Sequence, residues 1–62
     1  MKFVELITET FDNGVMNVIS TTTCIGQEKP KNHRKDMGNK YLCYYYLSSM
    51  EEAKRFAKYL KE

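Results

Sequence analysis

Two hydrophobic periods run along this chain, separated by a stretch that has neither. Lys2–Phe11 (KFVELITETF) is crowded with β-branched and aromatic side chains and reads as a strand. Asp12-Asn13-Gly14 follows and is the strongest local signal in the chain. Asn-Gly tolerates the positive φ angles of a type I′ turn, whose twist matches a hairpin. Residues 15–25 form the predicted return strand, with Val18, Ile19 and the run Thr21-Thr22-Thr23. β-branched residues are stiff at χ1 and sit well on a pleated surface, and the threonines predict a polar face or an edge. Over residues 26–40 the pattern lapses, and Gly26, Pro30, Gly38 and Asn39 predict a long loop. It resumes in Lys40–Leu47 (KYLCYYYL), a third strand with aromatic residues on both faces, as in a central or doubly covered strand. From Ser49 the period lengthens. Ser49-Met50-Glu51-Glu52 fits a capping box. Met50, Ala53, Phe56, Ala57 and Leu60 then form one apolar stripe, while Lys54, Arg55, Lys58 and Lys61 face water.

The predicted architecture is a single α+β domain over residues 1–62. A β-hairpin, a long basic loop and a third strand make a three-stranded antiparallel sheet, with one C-terminal helix packed on one face. A chain of this size buries only about 60% of its unfolded surface, and natural domains below roughly 70–80 residues usually add a disulfide set, a metal or a second subunit. Cys24 and Cys43 lie in strand-like runs and read as buried, reduced thiols. With His33 as the sole histidine, no tetrahedral zinc set is available, and no cofactor is expected. Oligomerisation remains. One helix covers one sheet face, which leaves Tyr41, Tyr45 or their neighbours on the other face for a homodimer or a dedicated protein partner.

Charge sharpens the picture in the unpatterned stretch. Residues 28–40 hold five Lys or Arg against two acids, a net of +3, in a chain of net charge +2. Lys29, Lys31, His33, Arg34, Lys35 and Lys40 are the candidate contacts for phosphates or for an acidic protein surface. Tyr41, Tyr44, Tyr45 and Tyr46 have two readings: core and interface residues, or a platform on which bases stack. Neither cysteine has a His or acid beside it in sequence, and the chain offers little material to wall off a pocket, so an enzyme is the least expected case. Glu5 and Glu9 share one side of the first strand, the pattern of an acidic patch or of a solvated edge. The N-terminal stretch meets both glutamates before any long apolar run. That argues against a signal peptide or membrane span and for a cytoplasmic protein.

One-domain size, richness in Lys and Tyr, and the lack of a catalytic motif give the chain a recognisable character. It resembles the small early host-takeover and counter-defence proteins of T-even-type phages. The resemblance covers the whole chain and assigns no residue. It implies a protein that acts in the host cytoplasm by binding and blocking a host enzyme, defence system or toxin. The expected function is therefore a non-enzymatic binding protein that inhibits a macromolecule such as a toxin or nuclease, its basic loop engaging RNA or an acidic surface. Two alternatives stand beside it: an RNA- or single-stranded-DNA-binding module that needs no protein partner, and a purely structural dimerisation domain.

Overall fold

The computed structural model describes residues 1–61. Four strands, β1 (Lys2–Phe11), β2 (Met16–Ile25), β3 (His33–Asp36) and β4 (Lys40–Leu47), precede one helix, α1 (Met50–Lys61). Every neighbouring pair is antiparallel, in the order β2-β1-β4-β3. The expected α+β class and the C-terminal helix on one sheet face are present, but the sheet has four strands where the sequence predicts three. The additional strand lies inside the predicted basic loop.

β3 escapes the hydrophobic period because all four of its residues are exposed. Its pairing is set by the turn that follows. Gly38 has φ 85°, its neighbours Met37 and Asn39 do not have positive φ, and the Met37 N–H donates to the Lys40 carbonyl at 2.8 Å. Glycine at the first central position is the signature of a two-residue type II′ connection. A β-carbon at Gly38 would meet no atom within 4 Å, so its cost is conformational alone. Gly38→Ala is expected to lose about 1–2 kcal/mol, the penalty of a left-handed L-residue. That corresponds to a fall in melting temperature on the order of 4–16 °C for a domain of this size, measurable by circular dichroism.

The first hairpin closes differently from the type I′ expectation. Only Gly14, at φ 89°, has positive φ; Asp12 and Asn13 do not. The Gly14 N–H donates to the Phe11 carbonyl, and the Phe11 N–H to the Val15 carbonyl, each at 2.9 Å. This is a three-residue loop, a turn followed by a left-handed glycine. The Asn13 Oδ1 accepts from the Val15 N–H at 3.0 Å, which favours the ordinary φ at Asn13.

β2 and β3 lie at opposite edges, so residues 26–32 pass across one end of β1 and β4. The Gly26 N–H donates to the Met1 carbonyl at 3.0 Å. A β-carbon on Gly26 would come within 3.3 Å of Phe3, so the crossover presses on a ring that is itself only 7% exposed. At the far end, Asn32 Oδ1 accepts the Tyr46 N–H at 2.9 Å. That side chain supplies the partner β4 lacks beyond the end of β3.

Strand register divides the side chains between two faces. Val4 pairs with Leu47, Leu6 with Tyr45 and Thr8 with Cys43, and these face the helix. Val4, Leu6, Leu47 and Ala53 form the buried core, with Val18, Tyr45, Met50, Phe56, Ala57 and Leu60 around it. Ser49 caps α1: its Oγ accepts the Glu52 N–H at 3.2 Å. On the other face lie Phe3, Glu5, Ile7 and Glu9 of β1, Leu42, Tyr44 and Tyr46 of β4, and His33 and Lys35 of β3. Among the described residues no helix covers this face. β1 is central, so Glu5 and Glu9 do not mark a solvated edge strand; they share the open face, and each has a partner there.

Candidate functional site

The β3–β4 hairpin carries most of the side chains that charge and aromaticity single out in the sequence. Antiparallel pairing sets His33 opposite Tyr44 and Lys35 opposite Leu42, all on the open face. The His33 ring lies parallel to Tyr44, with centroids 4.6 Å apart and planes 10° from parallel, and its centroid is 5.8 Å from that of Tyr46. Tyr46 meets Phe3 edge-on at 6.0 Å. The result is a row of rings crossing the sheet from β1 to its β3 edge. The tyrosines are half-buried, whereas His33 is exposed, so the stack is open-ended at the sheet edge. His33 Nδ1 lies 3.2 Å from the Lys31 carbonyl oxygen, which ties the ring to the crossover. Lys29, Lys31 and Lys35 are exposed, the first two in the crossover and the third on the same face of β3 as His33.

The other predicted cations are already engaged. The Lys40 Nζ lies 3.1 Å from Glu9 Oε2 and 5.5 Å from the centre of the Phe11 ring. Glu9 also accepts from the Asn17 side-chain amide at 3.3 Å, which completes a partly buried network. Arg34 pairs with Asp36 at 3.3 Å and sits over Tyr41 at 4.9 Å. Register puts Arg34, Asp36 and Tyr41 on the helix side of the hairpin, away from the stack. Tyr45 is also on the helix side, edge-on to Phe56 at 4.8 Å. The structure therefore brings His33, Lys31, Lys35, Tyr44 and Tyr46 together, and separates Arg34, Tyr41 and Tyr45 from them. Asn32 and Phe3, which hold Tyr46 in place, carry no charge or motif that would single them out in sequence.

Tyr46 is anchored on this face. Its hydroxyl donates to Glu5 Oε2 at 3.0 Å. Burial, and then the Glu5 carboxylate that accepts its proton, push the phenol up to about 12. The Tyr45 phenol is also raised, first by burial and then by contact with the Cys43 side chain. A proton held more tightly in the fold than in the unfolded chain contributes stability that is complete below the ordinary tyrosine range. That contribution is lost as pH rises through the folded value, here between about 10 and about 12. Ultraviolet titration of tyrosinate is expected to show a late-titrating class. Glu5→Gln should move part of that class back towards the ordinary range, and an unchanged curve would contradict the Tyr46–Glu5 contact.

The two thiols face opposite sides of the sheet: Cys24 is opposite Phe3 on the open face, and Cys43 opposite Thr8 on the helix face. They are not placed to form a disulfide. Neither is brought to His33, so the residue types that serve as nucleophile and base are kept apart. No helix among the described residues is long and apolar enough to cross a membrane. Comparison with protein-family models, curated proteins and solved structures returns no match to this chain.

Proposed function

We propose that this chain is a non-enzymatic binding protein, and that its contact surface is the open face of the β3–β4 hairpin with the adjoining crossover. The observation that carries the reading is the His33–Tyr44 stack, open-ended at the sheet edge, with the exposed Lys35 on the same face and the exposed Lys29 and Lys31 in the segment that leads into β3. A planar group added outside His33 extends an existing stack, while the lysines neutralise negative charge beside it. Bases joined by phosphates have this combination, so a single strand of RNA or DNA is the partner class the geometry favours. An acidic protein surface satisfies the lysines alone and leaves the stack unused. Inhibition of a toxin or nuclease is one biological form of the same contact: occupying the partner's surface, or the RNA it acts on, blocks it. Self-association through the open face would compete with binding, because Tyr44 and Tyr46 cannot serve both at once.

Light scattering of the protein with and without a mixed RNA pool, at low and at physiological salt, tests the reading. Complex formation that persists at physiological salt supports it. Complexes confined to low salt reduce it to loose phosphate attraction and favour the acidic protein surface. A dimer indifferent to RNA and to charge removal would instead identify a structural dimerisation domain.

A further inference from the structure

The two edges of this sheet are built differently. β3 exposes His33, Arg34, Lys35 and Asp36, a charged edge of the kind that discourages pairing with another strand. β2, at the opposite edge, is ten residues long and contains no charged residue, proline or glycine. Its register with β1 shifts at Ile7/Thr8 and is regular from Thr21 to Ile25.

Pairing with β1 fixes which backbone groups the regular half presents. Met1 and Gly26 exchange both N–H···O bonds, so they form a hydrogen-bonded pair. In an antiparallel ladder such pairs alternate with pairs that make no bonds to each other. Lys2–Ile25, Val4–Thr23 and Leu6–Thr21 are therefore the non-bonded pairs. The N–H and C=O groups of Thr21, Thr23 and Ile25 point away from β1, out of the sheet edge. Their side chains share the helix face with Val4 and Leu6, and all three residues are exposed, Ile25 at 80%. The helix thus leaves this end of the edge open to an added strand.

Charge decides which strand fits. A charged peptide finds no opposite charge on β2, and Glu5, behind Thr22 on β1, already accepts from the Tyr46 hydroxyl. The charged β3 of another copy fares no better, so copies do not chain β2 to β3. β2 itself is neutral along its whole length, so laid antiparallel on a second β2 it meets no like charge. Two-fold symmetry about Thr23 uses the whole regular half. Thr23 then faces its own counterpart and Thr21 faces the counterpart of Ile25, each as a hydrogen-bonded pair. Threonine opposite threonine is a favourable cross-strand pair.

We propose that the Thr21–Ile25 edge of β2 is the interface for a second copy of this chain, joined β2 to β2 in one continuous sheet. The charged β3 strands lie at its two ends, so the assembly closes at two copies. The two-fold axis stands normal to the sheet, which puts both helices on one side and both open faces on the other. The His33–Tyr44 stacks stay free at the outer edges, so self-association here does not compete with binding there. A contact of this length is smaller than a standard interface, and the dimer is reversible.

Light scattering and amide hydrogen exchange on the intact protein, from micromolar to millimolar concentration, test the interface. A dimer is expected, with protection of the Thr21, Thr23 and Ile25 amides that rises with concentration. Thr23→Lys and Thr23→Glu each set like charges against each other across the axis and should weaken association about tenfold. Thr23 is exposed, so both variants keep the fold. An equimolar mixture of the two should restore association, because opposite charges face each other only in the mixed pair. Monomer at every concentration would overturn the proposal, as would undiminished association of the single variants or no recovery on mixing. Tyr44→Ala should leave the dimer unchanged; its loss in that variant would place the interface on the open face and overturn the proposal.

Discussion

Replacing Leu6 by alanine is expected to remove most of the stability of this domain. Leu6 is fully buried, opposite Tyr45 in the sheet and within the cluster that Ala53 completes. Leu→Ala at such a site costs about 2–5 kcal/mol, lost transfer energy plus the cavity left behind. At roughly 0.05–0.15 kcal/mol per residue, the whole domain has about 3–9 kcal/mol to lose. Few fully buried side chains share the load, so neighbours have little with which to refill the space. Urea unfolding followed by circular dichroism should show the midpoint falling by half or more. Tyr44→Ala, on the open face, should leave most of the stability in place. A Leu6 variant as stable as the parent would mean that the helix does not seal the β1–β4 centre.

Removing Lys31 and Lys35 should have the largest effect on binding. Each single-strand phosphate contact contributes about −0.7 to the slope of log K against log salt, so losing two should flatten the slope by about 1.4. Arg34→Ala should change the slope little, because its guanidinium is held by Asp36 and over Tyr41 on the other side of the hairpin. Lys40→Ala should act on stability instead, by leaving Glu9 without its cation in a partly buried network. Fluorescence anisotropy with a labelled single-stranded RNA at several salt concentrations distinguishes these outcomes. Equal slopes for the parent and the double variant would remove the open face from the account.

The elements legible in the sequence are those with a buried side. β1 and α1 turn apolar residues to the core at a regular period, β2 is marked by its β-branched run after the Asn-Gly turn although only Val18 packs against the core, and β4 stands out through its aromatic run. β3 turns nothing inward, so no hydrophobic period marks it. Its available signal was Gly38-Asn39 directly before β4, a two-residue hairpin connection whose first glycine sets the pairing. The tyrosine run shows a different limit. Period two separates Tyr44 and Tyr46 from Tyr41 and Tyr45, but a strand that is aromatic on both sides does not reveal which side the helix takes. Register decides it: Leu47 lies opposite Val4 in the core, so Tyr45 follows it to the helix and Tyr44 and Tyr46 face away. The basic cluster was legible as charge. Which cations are free was not, because Glu9 reaches Lys40 only through the pairing of β1 with β4, distant in sequence.

The most direct test of the binding surface is an amide-resolved NMR titration of the protein with a mixed-sequence single-stranded RNA at physiological salt. Saturable shifts are expected at His33, Lys35, Tyr44 and Tyr46, with line broadening of the His33 ring and little change along α1. Shifts confined to the helix lysines, or none at saturating RNA, would contradict it.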